Sequence, residues 1–548
     1  MSNTIGSYIN GKPFDGPNAL KKALLMLNRP VFVIKGENGP VVAENGYAVL
    51  SDGSSAGVDE YEPVKEGMPL LGFAPRLMPE DLGDPEFRKA HGLKYAYVAG
   101  AMANAITSVK MVEEAGKAGM IGFFGAAGLP PSRISKAMDE LKDRLGDLPF
   151  GSNLIHNHHD PAAEMATAEL YVNKKIRYAS ASAYMNLTPP LVYYRVKGIH
   201  KNIDGAVICP NKVFAKVSRV EVARRFFSPP PEKILEKLVE LKLITKEEAI
   251  LSASVPMAED LTAEADSGGH TDNRPAISLL PTMLALRDEM QIRHGYQTQL
   301  RVGLGGGIAT PDSTASAFAM GAAYVLTGSV NQACVEAGTS EIVRKMLAEA
   351  HQADVIMAPS ADMFELGVKV QVLKRGTMFP MKAARLYDIY NRYDSMENLP
   401  DDVRNQLERD FFKKTTDEEW QNTRKFFEIR DPRQIDRAEK SPKHKMALVF
   451  RSYLGQSSNW AVTGDPERRI DYQIWCGPAM GAFNEWVRGS FLENYKNRET
   501  VTVAMNLLFG AAFKTRVHFL KCQGVDLPVD VQALAPMPLY EITSLTGC

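Results

Sequence analysis

The pattern of hydrophobic positions divides the chain near residue 95. Before that point, two short apolar runs at residues 31–34 and 41–43 flank a Gly-Glu-Asn-Gly-Pro turn, and residues 51–85 are crowded with Gly, Pro, Asp and Glu. Short apolar runs separated by turn residues are typical of strands, and a crowded polar stretch is typical of a surface loop. We therefore predict a small, β-leaning cap over residues 1–90.

Beyond the cap, short apolar runs alternate with stretches of helix-type spacing. The runs lie at residues 96–101, 120–124, 149–154, 177–181, 213–217, 261–265, 300–304 and 323–326. The helical stretches include residues 107–116, 132–145, 162–172 and 276–294. Alternating strands and helices predict a parallel sheet. Eight such units in about 250 residues predict an α/β fold of the TIM type, a (β/α)8 barrel over residues 91–380. An open doubly wound sheet is the alternative.

Two regions depart from this repeat. Between the fifth and sixth runs, residues 220–227 and 232–251 predict two helices where one would do, which indicates a helical insertion over the barrel near residues 220–255. After the barrel, residues 368–373 alternate like an exposed strand. Residues 381–548 then predict a C-terminal helical domain, with helical segments at 401–414, 418–427 and 501–513 and a Pro-rich end that wraps the surface.

Composition and charge narrow the function classes. A chain of 548 residues exceeds one ordinary core, so two or three domains are expected. The formal net charge of -1 provides no overall field that would attract nucleic acid. The start, MSNTIGSYING, lacks the features of a signal peptide, and the longest nearly apolar stretch, residues 501–513, is too short for a membrane span.

Cysteine and histidine spacing gives no metal signal. The cysteines are scattered, odd in number and form no C-x-x-C pair: Cys209, Cys334, Cys476, Cys522 and Cys548. This disfavours a disulfide framework and structural zinc, and a reducing cytoplasm is the expected location. A cluster of His156, His158, His159 and Asp160 has no second group of ligands nearby in the sequence, so we interpret it as a solvated loop and predict no metal site.

Glycines after the seventh and eighth runs predict a phosphate site. Gly305, Gly306 and Gly307 follow the seventh run, and Gly328-Ser329 follows the eighth. Glycines allow backbone N–H groups to approach an anion closely, and barrels commonly bind phosphate with these two loops. Between them, Thr310-Pro311-Asp312 has the residues of a helix N-terminus. A pair of tight packing turns is the other interpretation, and the phosphate could belong to several kinds of ligand.

Other run ends suggest which ligand carries the phosphate. The small residues around Ala101 and Met102 would let the backbone contact a flat ring, and the amide of Asn153 could hydrogen-bond to the edge of an isoalloxazine. After the sixth run, Asp266, Gly268 and Gly269 precede His270.

These motifs resemble the nitronate monooxygenase and FMN enoyl reductase superfamily. Longer blocks resemble the stand-alone, trans-acting enoyl reductases of polyunsaturated-fatty-acid synthases and polyketide synthases, over nearly the whole chain. The blocks are residues 216–219, 255–260, 264–275, 361–365 and 471–486. The chain departs from related bacterial enoyl reductases at Asp266-Ser267, where they carry Glu followed by Ala or Ser.

The resemblance implies FMN and NADPH as cofactors and reduction of a 2-enoyl thioester on an acyl carrier protein. It implies flavin contacts at Ala101, Met102, Asn153, Lys216, Gly269, Gly306, Gly307, Gly328 and Ser329. It also places His270 in the active site. A homodimer is expected only at the level of the family.

Two of these residues are candidates for the chemistry. A cation near N1 and O2 of a flavin stabilises the reduced state, and Lys216 at the end of the fifth run is our candidate; a surface ion pair is the alternative. A histidine can donate a proton near neutral pH, and we assign His270 this role. The alternatives are a hydrogen bond from His270 to Asp266 or Asp272, with solvent as the proton source.

Two other functions and one docking surface remain open. The first alternative is a nitronate-type monooxygenase that uses flavin to reduce oxygen, and the second is a non-catalytic scaffold subunit of a multienzyme. The basic stretch of Lys212, Lys216, Arg219, Arg224 and Arg225 could dock an acidic carrier protein or could simply be the polar face of an amphipathic helix.

Overall fold

The computed structural model describes residues 4–16, 18–37, 39–50, 67–156 and 161–547. An antiparallel five-stranded sheet with one helix, α1 (Ala19–Leu25), forms the N-terminal part. Its strands are β1 (Gly6–Ile9), β2 (Val31–Gly36), β3 (Gly39–Ala43), β4 (Tyr47–Leu50) and β5 (Met68–Ala74), in the order β3-β2-β5-β1-β4. The predicted β-leaning cap is confirmed. Residues 51–66 of the predicted loop at 51–85 lie outside the described residues, and the loop prediction is wrong for Met68–Ala74, which form β5.

A closed barrel of eight parallel strands follows, after helix α2 (Pro85–His91). The barrel strands are β6 (Tyr97–Ala99), β7 (Ile121–Phe124), β8 (Gly151–Ile155), β9 (Tyr178–Ser182), β12 (Lys212–Val217), β13 (Asp260–Glu264), β14 (Arg301–Gly305) and β15 (Val325–Thr327). A small hairpin of β10 (His200–Lys201) and β11 (Val207–Ile208) lies between β9 and β12. Because β15 pairs with β6, the sheet is closed. The predicted barrel is confirmed, and the open sheet is excluded.

Helices cover the outside of the barrel. They are α3 (Val109–Lys117), α4 (Pro131–Leu145), α5 (Pro161–Asn173), α6 (Pro189–Val196), α7 (Val220–Phe227), α8 (Glu232–Glu240), α9 (Lys246–Ser252), α10 (Ala276–His294), α11 (Pro311–Ala319), α12 (Ser329–Gln332) and α13 (Glu341–Ala348). The prediction of one continuous helix over residues 232–251 is wrong. Lys242 has a φ of 57°, and Thr245 begins a new helix by exchanging capping hydrogen bonds with Glu248.

A hairpin of β16 (Val355–Pro359) and β17 (Lys369–Leu373) follows the barrel. The sequence predicts β17 as an exposed strand, but residues 370–373 are buried. The prediction fails because β17 has neighbours on both edges. Val372 pairs with β16 on one side and with Trp475 on the other.

A helical module with its own apolar core follows the hairpin. Its helices are α14 (Phe379–Arg392), α15 (Asp401–Gln406), which continues as a π-helical turn over Leu407–Phe412, α16 (Thr416–Arg430), α17 (Arg433–Lys440) and α18 (Pro442–Thr463). The core contains Phe364, Phe379, Leu386, Phe411 and Phe450, all buried. This cluster is separate from the main core of the barrel.

The last helices return to the barrel. They are α19 (Ala479–Val487), α20 (Thr500–Cys522), α21 (Val529–Gln532) and α22 (Leu539–Thr546). A Cβ on Gly510 of α20 would lie 2.5 Å from Pro311 at the start of α11, so glycine permits the close packing of these two helices. The buried guanidinium of Arg516 donates to the carbonyls of Leu24 and Arg29 and ties α20 to the N-terminal part. Among the described helices, none is both long and apolar enough to cross a membrane.

A buried charge cluster closes the N-terminal end of the barrel. Asp260, which begins β13, accepts hydrogen bonds from Arg301 at 2.7 and 3.0 Å and lies 2.9 Å from Nε2 of His91. The ring of Phe87 stacks on Tyr324 directly beside this cluster, with ring centroids 4.4 Å apart. Because this end is filled by packed side chains, the open end of the barrel is the one where the strands finish.

Candidate active site

One cavity at the carboxyl ends of the strands gathers most of the residues that the sequence predicts. The predicted residues that line it are Ala101, Met102, Lys216, Asp266, Gly268, Gly305, Gly306, Gly307, Gly328 and Ser329. Asn153, Gly269 and His270 do not line it. The cavity draws on strands one, five, six, seven and eight, as expected for a barrel ligand site.

The glycines form an open floor in this cavity. Gly306 has a φ of +87°, and a Cβ there would lie 2.7 Å from the carbonyl group of Ala265, so only glycine fits. Gly307 and Gly328 are different, since a Cβ at either would meet no atom within 4 Å. The free space beside the backbone at Gly307 and Gly328 would let an anion approach the N–H groups of both segments.

The predicted helix start after Gly307 is also present. Thr310 caps α11 by accepting from the N–H of Ser313 at 3.1 Å. The hydroxyl of Ser313 in turn accepts from the N–H groups of Ala309 and Thr310 at 3.0 Å. These donors of the first turn are therefore used inside the protein, and an anion in the cavity would depend on the glycine segments.

A lysine and a glutamate face each other inside the cavity. Nζ of Lys216 lies 2.8 Å from Oε1 of Glu264, and both side chains are mostly shielded from solvent. Ser267 also donates to the same carboxylate oxygen at 3.3 Å. Lys216 thus occupies the predicted place at the end of the fifth barrel strand, but its charge is already partnered by Glu264.

The loop after the first barrel strand is held by one buried threonine. Oγ1 of Thr107 donates to the carbonyl of Gly100 at 2.7 Å and accepts from the N–H of Met102 at 2.9 Å. The next residues, Asn104 and Ala105, have φ values of 58° and 59°. These constraints fix the backbone of Ala101 and Met102 along the wall of the cavity.

Asn153 is buried in the barrel wall. Its Nδ2 donates to the carbonyl of Ser180 at 3.1 Å and to the hydroxyl of Ser182 at 3.3 Å, both on the neighbouring strand β9. In this arrangement the amide nitrogen serves the barrel, and the side chain does not reach the cavity lining.

The loop after the sixth barrel strand docks against the segment around Trp475. A Cβ on Gly268 would lie 2.8 Å from the backbone of Cys476, so glycine permits this contact. Gly269 exchanges backbone hydrogen bonds with Gln371 of β17 at 2.7 and 3.0 Å. The side chain of Gln371 also donates to Asp266 at 2.7 Å. The carboxylate of Asp266, whose side chain is shorter than that of a glutamate, is therefore held by the side-chain amides of Asn273 in the loop and Gln371 in β17.

His270 forms a pair with Asp362. Nε2 of His270 lies 2.9 Å from Oδ2 of Asp362, in the turn between β16 and β17. Burial lowers the pKa of His270, but the hydrogen bond and charge of Asp362 outweigh burial, so the net shift is upward. Burial raises the pKa of Asp362, and His270 brings it down to about 2. The expected partners, Asp266 and Asp272, are not bonded to His270. Asp266 bonds to Asn273 and Gln371, and Asp272 bonds to Arg219.

No metal centre is formed by the residues that the structure describes, since no group of three or more His, Cys, Asp or Glu side chains could hold an ion there. His156 bonds to Glu164 at 3.0 Å, and His158, His159 and Asp160 lie outside the described residues. Cys476 is a free, buried thiol, and burial raises its pKa to about 12. It therefore stays protonated at neutral pH, as a buried packing residue does.

Several cavity residues are absent from the predicted site. They are Gly100, Thr262, Glu264, Ser267, Ile308, Leu326, Thr327 and Ala479. The sequence does contain a signal for Thr262. Side chains alternate along a strand, so Thr262 points to the same side of β13 as Glu264, two residues later. Ala479 has no local signal, since it reaches the cavity only through the return of α19 to the barrel.

Two protein families match parts of the chain. The nitronate monooxygenase family matches residues 85–398. The inserted helical domain of [acyl-carrier-protein] S-malonyltransferase matches residues 393–472, which include most of the helical module.

Two curated relatives are biosynthetic proteins. One polyunsaturated fatty acid synthase protein of Thraustochytrium sp. is 44% identical over 470 residues, covering 84% of this chain and 31% of that protein. Polyketide biosynthesis protein PksE of Bacillus subtilis is 44% identical over 430 residues, covering 78% of this chain and 56% of the relative. The chain therefore spans between about a third and about half of these relatives.

A crystal structure shares the fold closely. The enoyl reductase domain of MlnA, from the macrolactin biosynthesis cluster of Bacillus amyloliquefaciens, is 39% identical with a TM-score of 0.77. The match covers 81% of this chain and 99% of that domain.

Proposed function

Because this chain belongs to the nitronate monooxygenase family, we propose that it is an FMN-containing, NADPH-dependent enoyl reductase. Its substrate would be a 2-enoyl thioester carried by an acyl carrier protein of a polyunsaturated-fatty-acid or polyketide synthase. The observation that carries the proposal is the open space over Gly307 and Gly328, at the end of the barrel where the strands finish. The related enoyl reductase domain shares the fold of this chain. The resemblance to such reductases is confirmed at the level of the family.

The residues present fit FMN. Gly307 and Gly328 leave room for a phosphate beside backbone N–H groups, and Ser329 adds a hydroxyl that already accepts from Gly477 at 3.0 Å. The small residues Ala101 and Gly100 give a flat wall for a ring. When bound, FMN would supply hydride transfer from NADPH to the β-carbon of the thioester.

Lys216 and Glu264 would set the charge inside the cavity. A protonated Lys216 favours a negative charge nearby, and Glu264 opposes it from 2.8 Å away. Together the two side chains have nearly no net charge. A negatively charged ligand that draws Lys216 away from Glu264 would pair with the ammonium group of Lys216. We assign Lys216 the role of stabilising the negatively charged form of the cofactor.

His270 does not line the cavity, but it closely follows Gly268, which does, and we propose that it supplies the proton. The overall reaction consumes one enoyl thioester, one NADPH and one proton, and yields the saturated thioester and NADP⁺. The hydride goes to the β-carbon, and the α-carbon takes the proton. Asp362 raises the pKa of His270 above that of an ordinary histidine, which favours the protonated form that can donate to the substrate.

We propose an acyl carrier protein as the partner because the relatives are biosynthetic synthase proteins. The basic stretch does not support this proposal. Lys212, Lys216, Arg219 and Arg224 are paired with Glu259, Glu264, Asp272 and Glu289, and Arg225 bonds to Met185 and Asn186. This stretch therefore presents little unpaired positive charge.

Anaerobic turnover tests the proposal. We expect steady oxidation of NADPH, followed at 340 nm, when crotonyl thioester is added in the absence of oxygen, with butyryl thioester as product. Consumption of oxygen with a nitronate, without anaerobic oxidation of NADPH by the thioester, would indicate a monooxygenase instead. A colourless protein that binds no added FMN would indicate a scaffold subunit. Either result contradicts the reductase.

A further inference from the structure

The partner of His270 comes from outside the barrel. Asp362 lies 92 positions further along the chain, in the turn between β16 and β17, and reaches Nε2 of His270 at 2.9 Å. The imidazole therefore has one nitrogen committed to a carboxylate, while Nδ1 has no role in this pair. A carboxylate on one nitrogen fixes the tautomer and the ring orientation of a histidine.

The turn that carries Asp362 is held in place by the helical module. Nε of Arg451, on α18, donates to the carbonyl of Ala361 at 2.9 Å, and its Nη1 donates to Oε1 of Glu365 at 3.2 Å. These two contacts lie on either side of Asp362 in the sequence. Phe364 is buried in the core of the module between them. The position of Asp362 is thus set by α18, across the boundary between module and barrel.

We propose that Asp362 is a positioning residue, which fixes His270 through Nε2 so that Nδ1 delivers the proton, and that Arg451 holds the turn carrying it. The role in proton delivery rests on the proposed reductase function, whereas the pairing does not. The helical module accordingly shapes the active site, in addition to any part it has in docking.

The charges around His270 come from three elements. Asp362 lies in the hairpin turn, Glu264 ends β13 and Lys216 lies in β12. The two carboxylates raise the pKa of His270, whereas burial and Lys216 lower it. Removing the charge of Asp362 leaves burial and Lys216 opposed only by Glu264, so the pKa of His270 falls. The alkaline limb of the rate profile should move to lower pH with it.

Nitrogen NMR of labelled histidine tests the pairing without relying on turnover. The His270 signals are assigned by their loss in His270→Gln. In the parent protein we expect the neutral ring to carry its proton on Nε2. In Asp362→Asn the pKa of His270 should fall, and in Arg451→Met it should move in the same direction. The control is Asp354→Asn, which removes another carboxylate beside the same hairpin and should leave His270 unchanged.

Kinetics separate a positioning role from a structural one. In Asp362→Asn we expect kcat to fall about tenfold to a hundredfold, a part of what general acid catalysis supplies, with the KM for NADPH nearly unchanged. Unchanged NMR titration in Asp362→Asn would overturn the pairing. A lowered pKa with unchanged kcat would overturn the positioning role. If the proposed function is wrong, the parent protein itself will show no reductase turnover, while its NMR titration still shows His270 paired with Asp362.

Discussion

Gly328→Leu should give a folded protein that no longer retains FMN. A Cβ at Gly328 meets no protein atom within 4 Å, and Gly328 lines the cavity, so the leucine side chain would project into it. It would occupy the space proposed for the phosphate. Losing two hydrogen bonds from N–H groups to a charged phosphate costs about 3–6 kcal/mol, which corresponds to at least a hundredfold weaker binding.

The matched control is Gly455→Leu. Gly455 lies in α18, and a Cβ there also meets no atom within 4 Å, but Gly455 does not line the cavity. We expect this variant to keep its flavin. The measurement is the flavin absorbance that remains with the purified protein, alongside thermal unfolding. Full flavin content in a folded Gly328→Leu would show that the phosphate is bound elsewhere.

Arg301→Leu should destabilise the barrel strongly. Arg301 donates two hydrogen bonds to Asp260, and the side chains of both are at most 4% exposed. The substitution leaves the buried Asp260 with His91 as its remaining partner in the cluster. Breaking a buried ion pair by removing one partner typically costs about 3–5 kcal/mol. We expect a loss of this size in the free energy of unfolding, measured by urea denaturation at pH 7.

The pH dependence of this loss provides its own check. Burial raises the pKa of Asp260, but His91 and Arg301 lower it further, so its net shift is downward. A lowered folded-state pKa contributes stability above the unfolded pKa, and that stability is lost as the pH falls through the folded pKa. The deficit of Arg301→Leu should therefore shrink as the pH falls below about 4, the ordinary pKa range of an aspartate. Arg293→Leu, at an exposed pair with Glu289, should cost less than about 1 kcal/mol. Equal losses in the two variants would contradict this account.

Local signals in the sequence predict the barrel and the floor of its cavity. Each predicted apolar run overlaps one barrel strand, because a strand buried on both faces is a short continuous hydrophobic segment. Gly306 and Gly328 are recognisable because they directly follow such runs. Helix α10 (Ala276–His294) has the predicted bounds, whereas the break at Lys242 depends on a single backbone angle that the hydrophobic spacing does not reveal.

Contacts between distant segments are what the sequence does not predict. Asp362 meets His270 only because the β16–β17 hairpin packs against the loop after β13, and Gly268 meets Cys476 for the same reason. The partner of Lys216 is Glu264, on the neighbouring strand, and it changes the charge that the sequence assigns to the site. Asn153 has the expected residue type for a flavin contact, but its amide bonds to β9.

The most direct test of the central claim is the visible spectrum of the purified protein under anaerobic conditions. We predict the absorption of an oxidised flavin, loss of this absorption when NADPH is added, and its return when an enoyl thioester is added without oxygen. That sequence of changes would establish both halves of the proposed reaction on one protein. A flavin that NADPH bleaches, but that only oxygen restores, would contradict the enoyl reductase function.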